Sequence, residues 1–142
     1  MEAAVVENEA EIRRPSEEVF DYCTDLTREH EWNPKTRRVE KLTDGPIGTG
    51  TRFKAEFLKG DPMTIEVVRF ERPRAWESVG RSRRLVATTK GLITATQDGV
   101  RLSLGMELRP RGVPRLLLPL LARYMHRQQR RNLAAIKAVL EG

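Results

Sequence analysis

The last quarter of the chain, residues 113–140, has the residue spacing of one long amphipathic helix. Pro114 suits the first position of such a helix. On a 3.6-residue wheel, apolar side chains recur at every third or fourth position and arginines occupy the opposite side. A helix of this length must bury its apolar face against another element, so it constrains the fold more than any other segment. The apolar stripe consists of Leu118, Leu121, Ala122, Met125, Leu133, Ile136, Val139 and Leu140.

Two amide side chains, Gln129 and Asn132, lie in the middle of this apolar stripe. An unpaired buried amide costs on the order of 1–3 kcal/mol, so both amides need partners. Either loops and strand ends supply those partners, or a wet or ligand-filled cavity does. The sequence leaves both interpretations open.

The rest of the chain has the alternation and turn signals of strands, with two short helices near its beginning. Ser16 is placed to cap the first short helix and Asp25 the second. The apolar phase slips between Val67 and Val68, which indicates a β-bulge. The predicted strands are residues 5–12, 36–42, 51–57, 63–71, 75–81, 85–96 and 100–109.

The last six predicted strands are joined by short turns, which favours an antiparallel meander. An antiparallel sheet with one apolar face must bury that face, and the long helix carries a matching stripe. We therefore predict a single α+β domain over residues 1–142. In it, a curved antiparallel seven-stranded sheet grips the long C-terminal helix, and two short helices follow the first strand.

The composition is that of an ordinary globular chain, with 39% hydrophobic and 32% charged residues. The net charge of +6 comes from arginines spread from Arg13 to Arg131, and aromatic residues make up only 6%. This pattern predicts solvated surface charge and no nucleic-acid partner. The single cysteine, Cys23, and the absence of a signal pattern or a membrane-spanning apolar run predict a soluble cytoplasmic protein.

The sequence contains no recognisable catalytic or metal-binding constellation. Two distant histidines and one cysteine give no metal-ligand spacing, and the glycine-rich stretch near residue 48 does not open a helix. Tyr22, His30 and His126 are the other polar candidates, but His30 lies in a charged stretch and His126 faces partly outward. We predict no catalytic residue, no metal and no cofactor.

Large or flexible side chains on the predicted sheet and helices are candidates for a pocket wall. Apolar walls with a few placed polar groups are typical of small-molecule sites. Plain core packing is the alternative for each of these residues. The predicted ligand-binding set is Trp32, Phe53, Phe57, Trp76, Leu104, Met106, Leu121 and Met125, with Gln129 as its polar member.

Leu116 and Leu120 fall on the outward side of the long helix, beside Arg123 and Arg127. Exposed leucines next to arginines predict a transient contact with a membrane surface or a partner subunit. The alternatives are that the preceding loop covers the leucines or that Pro119 bends the helix and changes its phase.

Several short motifs, in this order, resemble the polyketide cyclase/dehydrase branch of the START-like (SRPBCC) superfamily, which includes the birch-pollen-allergen fold. They are residues 14–20 (RPSEEVF), 32–34 (WNP), 39–40 (VE) and 48–51 (GTGT). The resemblance covers nearly the whole chain. It implies a helix-grip fold with a deep cavity between the sheet and the long helix.

The resemblance also implies the binding of hydrophobic small molecules such as lipids, polyketides, quinones or aromatic metabolites. It leaves catalysis open, because a fold does not determine a reaction. Since no acid–base pair can be assembled from the sequence, we interpret the chain as a binding or carrier module. The alternative is a polyketide cyclase or dehydratase that performs an aldol-type cyclisation in the same cavity.

Overall fold

The computed structural model describes residues 3–142. Its regular elements follow the predicted order of one strand, two short helices, six strands and a long helix. A 3₁₀ helix, Leu26–Glu31, is the second short helix, and a 3₁₀ turn, Arg115–Leu117, precedes the long helix. The strands and α-helices are β1 (Ala4–Ile12), α1 (Ser16–Thr24), β2 (Thr36–Lys41), β3 (Arg52–Phe57), β4 (Met63–Glu71), β5 (Ala75–Arg81), β6 (Leu85–Ala95), β7 (Val100–Pro110) and α2 (Leu118–Glu141).

The seven strands form one sheet in the order β1-β7-β6-β5-β4-β3-β2, and every neighbouring pair is antiparallel. The predicted meander of β2 to β7 is confirmed, and β1 joins it at β7. The register of β4 against β5 shifts between Val67 and Arg69, at the predicted bulge. The sheet curls into a half-barrel around α2, so the predicted helix-grip architecture is confirmed.

The long helix begins later than the sequence predicts. Pro114 has φ −58° and ψ 143°, which is an extended conformation and not a helical one. The helix starts at Leu118 instead, and Pro119 occupies its first turn, where proline breaks no hydrogen bond. Val139 was predicted on the apolar stripe but is 41% exposed, whereas Leu140 after it packs against the core, so Val139 lies outside the buried stripe.

The two predicted caps of the short helices have different outcomes. Helix α1 starts at Ser16 itself, and the cap position falls on Pro15, where no side chain caps the helix. The Asp25 carboxylate accepts a hydrogen bond from the Thr27 amide at 3.2 Å, as predicted for the second helix.

Helix α2 bridges two separate clusters of core side chains. Its C-terminal half contributes Leu133 and Ile136 to a first cluster that is centred on β1, α1, β6 and β7. Its N-terminal half packs Leu121 and Met125 against a second cluster at the β2–β4 end of the sheet. The two amides of the stripe therefore lie where the two clusters meet.

A candidate ligand-binding cavity

A cavity of about 300 Å³ lies between α2 and the concave face of the sheet, at the meeting point of the two clusters. Helix α2 supplies one wall through side chains three or four positions apart, which share one helix face. These are Tyr124, Met125, Gln128, Gln129, Asn132 and Ile136.

The sheet supplies the second wall, which is mostly hydrophobic. Trp76 lies opposite Gly91 on the neighbouring strand, and a Cβ atom built at Gly91 would approach the indole to 2.2 Å. The Trp76 ring also contacts Phe20 edge-on, at 5.5 Å between ring centroids. These two contacts fix the indole in the wall. The other sheet residues of the wall are Phe57, Met63, Ile65, Ser78, Gly80, Leu85, Ala87, Thr89, Leu104, Met106 and Leu108.

The third wall comes from the end of α1 and the following 3₁₀ helix. Cys23, Leu26, Glu29 and Trp32 recur at every third position, and all four line the cavity. A 3₁₀ helix has three residues per turn, so side chains three apart lie on the same face. Glu29 was not among the predicted site residues because its neighbours are charged, although this three-residue spacing was a signal that could have identified it.

Glu29 is a buried carboxyl group in this third wall, with 9% of its surface exposed. The Thr36 hydroxyl donates to Oε2 at 2.5 Å and the Asn33 amide donates to the same oxygen at 3.3 Å. Burial raises the pKa of Glu29, against the opposing effect of these two hydrogen bonds. No described residue donates a hydrogen bond to Oε1, so this oxygen is available for a ligand.

Two residues of the cavity wall each contain a buried polar atom without a partner. Trp32 Nε1 and Asn132 Oδ1 are both buried, and neither makes a hydrogen bond within residues 3–142. Gln129 differs, because Asn8 Nδ2 on β1 donates to its Oε1 at 2.7 Å. The interpretation that strands supply the partners is thus confirmed for Gln129, while Asn132 lines the cavity but keeps its Oδ1 buried and unpaired.

Two exposed basic side chains are among the residues that line the cavity. Lys35 and Lys59 line it and are exposed, and the Lys35 ammonium lies 4.2 Å from the centroid of the Tyr124 ring. Among the described residues that line the cavity, Glu29 is the only acidic side chain.

Most of the predicted ligand-binding residues lie along this cavity, although their contact with a ligand stays a prediction. Phe53 does not reach it, because it is completely enclosed in the second cluster, with 0% of its surface exposed. Leu121 packs against that same cluster, one turn before Met125, and is also not in the wall. The seven that line the cavity are Trp32, Phe57, Trp76, Leu104, Met106, Met125 and Gln129.

The other polar candidates lie away from the wall. The Tyr22 hydroxyl donates to Glu31 at 3.1 Å, and burial together with this carboxylate raises its pKa to about 12. His30 and His126 are exposed. Cys23 does line the cavity, but burial raises the pKa of its thiol to about 12, so it stays protonated at neutral pH.

Two further observations concern metals and membranes. Within residues 3–142, no three His, Cys, Asp or Glu side chains are grouped so that they could hold a metal ion. No helix in this part of the chain is long and apolar enough to cross a bilayer.

A half-barrel sheet, a long C-terminal helix and an apolar cavity between them define the helix-grip class of α+β proteins. Residues 3–141 match the profile of the family described as "Polyketide cyclase / dehydrase and lipid transport", and the chain belongs to this family. No curated protein has a significantly similar sequence.

Solved structures with the same fold are distant in sequence. The di-domain ARO/CYC StfQ from the steffimycin biosynthetic pathway has a TM-score of 0.79 at 15% identity over 99% of this chain, which spans only 51% of StfQ. A START superfamily protein from Mycobacterium smegmatis has a TM-score of 0.82 at 12% identity, covering 96% of this chain and 97% of that one. Ara h 8.0201 has a TM-score of 0.71 at 14% identity, covering 97% of each chain. These similarities establish the fold.

Proposed function

We propose that the chain is a binding or carrier module for a hydrophobic small molecule, such as a lipid, a polyketide, a quinone or an aromatic metabolite. The observation that carries this proposal is the cavity of about 300 Å³ with a largely apolar wall. This volume is at the lower end of the range of small-molecule sites. The buried free thiol of Cys23 is compatible with a reducing compartment, and we propose the cytoplasm as the location.

Mass spectrometry of an organic extract from natively purified protein tests this proposal. We expect an apolar molecule to co-purify, or the empty protein to take up naphthalene in calorimetric titrations. Ala87→Phe should abolish uptake, because Ala87 lines the cavity and a larger side chain there fills it. Thr88→Phe is the matched control, since the next residue of a strand points to the opposite face. Protein that is consistently empty and binds no apolar probe contradicts the proposal.

Glu29 favours a second candidate function, a polyketide cyclase or dehydratase. A cyclisation of this kind begins with removal of a proton next to a carbonyl group, and a carboxylate inside an apolar cavity can accept that proton. Glu29 lines the cavity and leaves Oε1 without a hydrogen bond from the described residues.

Hydrogen–deuterium exchange at the methyl group of acetophenone, followed by NMR in heavy water, separates the two functions. If Glu29 acts as a base, the wild type should accelerate the exchange and Glu29→Gln should not. Equal exchange rates with both proteins would remove this candidate and leave the binding module.

We also propose that the start of α2 touches anionic membrane surfaces while the ligand enters or leaves. Leu116 is 88% exposed and Leu120 is 59% exposed, so no loop covers them. Tyr124, which lines the cavity, lies one helical turn after Leu120 on the same side of the helix. Arg123 and Arg127 are exposed nearby, and their charge complements anionic headgroups.

Co-sedimentation with phosphatidylserine-containing vesicles and with pure phosphatidylcholine vesicles tests this contact. We expect binding to the anionic vesicles only, and its loss in a Leu116→Ser, Leu120→Ser double variant that still folds. Equal sedimentation of the wild type and this variant would show that the leucines do not bind membranes.

A further inference from the structure

Three of the described residues in the cavity wall are also exposed to solvent: Lys35, Lys59 and Tyr124. Residues that line a cavity and are exposed mark the place where it reaches the surface, so we call this group the mouth of the cavity. The Leu58 amide donates to the Lys35 carbonyl at 3.0 Å, which holds the two lysine segments side by side. The Lys35 ammonium lies 4.2 Å from the centroid of the Tyr124 ring on α2. The mouth therefore lies between α2 and the β2–β3 end of the sheet.

Both lysines of the mouth have a positive charge that the protein does not neutralise. Within residues 3–142, no carboxylate forms an ion pair with either ammonium group, whereas Lys90 and Lys137 each pair with a glutamate. The contact of Lys35 with Tyr124 is a cation–π interaction, which leaves the positive charge of Lys35 in place. The mouth thus carries two positive charges beside a largely apolar cavity.

An anionic head group on the ligand fits this arrangement better than a neutral or a cationic one. The apolar part of a ligand is stabilised inside the cavity, whereas a charged head is too costly to bury and stays where the cavity reaches solvent. There an anionic head meets two ammonium groups, and a cationic head meets two like charges. Glu29, the only acidic side chain among the described wall residues, is buried and is not part of the mouth.

We infer that the cavity takes up amphipathic anions, molecules with an apolar tail and a carboxylate or phosphate head, and that Lys35 and Lys59 bind the head. The tail occupies the cavity, and the head stays at the mouth in contact with water. Lysine side chains are long and flexible, so both ammonium groups can approach one oxyanion. This inference rests on the proposed function, because it specifies the ligand of the same cavity.

Calorimetric titration of the full chain with octanoate, octyl phosphate and octanol tests the inference. The three probes share one alkyl chain, and only the first two are anions. A Lys35→Met, Lys59→Met double variant removes both charges and keeps long unbranched side chains. We expect this variant to bind the anions about two- to thirtyfold more weakly than the wild type, the range for two exposed ion pairs, and to bind octanol equally well. An effect on only one of the two anions identifies the head group as a carboxylate or as a phosphate.

A Lys54→Met, Lys90→Met double variant is the matched control, because it removes the same charge from two exposed lysines of the sheet that do not line the cavity. It should bind all three probes as the wild type does. Added salt should weaken the binding of the anions to the wild type without weakening that of octanol, because ions screen exposed charges. Thermal melting checks that both variants fold, and the salt dependence decides if the Lys35, Lys59 variant does not.

The outcomes separate this inference from the proposed function. If the Lys35, Lys59 variant binds the anions as tightly as the wild type, or if the wild type binds octanol alone, the inference is overturned and the binding module stands. An equal loss in the control variant also overturns the inference, because the effect then comes from the overall charge. Failure of all three probes to bind refutes the binding module itself, and the inference with it.

Discussion

Replacing Gly91 with alanine should destabilise the protein and obstruct its cavity. A Cβ atom at position 91 would lie 2.2, 2.3 and 2.5 Å from three carbon atoms of the Trp76 indole. Carbon atoms in contact prefer about 3.5–4.0 Å, so the overlap exceeds an ångström. The indole cannot move toward the core, because its edge contacts Phe20 and only 7% of Trp76 is exposed, so its open direction is into the cavity that it lines.

The expected cost follows from two opposing effects. Forcing a large side chain out of a packed position costs about 1–3 kcal/mol. Removing a glycine from a strand recovers about 0.5–1 kcal/mol. We therefore expect Gly91→Ala to lower the free energy of unfolding by about 1 kcal/mol, and by no more than about 2.5 kcal/mol, measured by urea denaturation. Naphthalene binding should weaken as well, because the displaced indole enters the cavity.

Two other glycines provide controls for this prediction. A Cβ atom at Gly105 would meet its nearest heavy atom at 4.0 Å, so Gly105→Ala should be neutral or stabilising. At Gly80 the nearest atom to such a Cβ would be the Met63 sulfur at 2.4 Å, and this flexible side chain can move. The free energy of unfolding of Gly80→Ala should therefore lie between those of the other two variants. If Gly91→Ala is as stable as Gly105→Ala, the packing argument is wrong.

Three further predictions concern stability. Glu29→Gln should stabilise the fold at neutral pH and lose this advantage in acid. Burial raises the pKa of Glu29, so the wild type is most stable when this carboxyl group is protonated. Its free energy of unfolding falls as the pH rises through the raised pKa. Urea denaturation of both proteins from acid to neutral pH tests this prediction, and a difference in free energy of unfolding that does not change with pH would disprove it. Asn8→Ala should lower the free energy of unfolding by about 1–3 kcal/mol, because Gln129 Oε1 loses its hydrogen-bond donor. A loss near zero would mean that the Gln129 amide turns into the cavity. Leu133→Ala should lower the free energy of unfolding by about 2–5 kcal/mol and Val139→Ala by less than about 0.5 kcal/mol, since Leu133 is 2% exposed and Val139 is 41% exposed. Similar losses would contradict the difference in burial between these two positions.

Local patterns in the sequence determined most of the architecture. Alternating residues predicted the strands, the short turns predicted their meander, and a phase slip predicted the bulge at Val67. The apolar period of the C-terminal segment predicted the helix that the sheet must cover. These predictions succeeded because side-chain periodicity reports directly which face of an element is buried.

The start of α2 and the composition of the cavity wall depended on tertiary structure. Pro114 and Pro119 both suit a first helical turn, and only the path of the chain out of β7 decides between them. Phe53 and Phe57 lie on the same face of one strand, yet Phe53 is sealed in the core and Phe57 reaches the cavity. Which of the two is sealed depends on how the other strands close around them.

The chemistry of the site was also decided by the fold. The sequence placed Gln129 and Asn132 on one helix stripe and could not assign their partners. Hydrogen bonds between residues more than a hundred positions apart depend on how the strands and the helix pack in the tertiary structure. Only the folded chain pairs Gln129 with Asn8, leaves Asn132 Oδ1 buried without a partner and brings Glu29 into the cavity wall. Periodicity records which side of an element is buried, whereas the identity of its neighbours is a property of the whole fold.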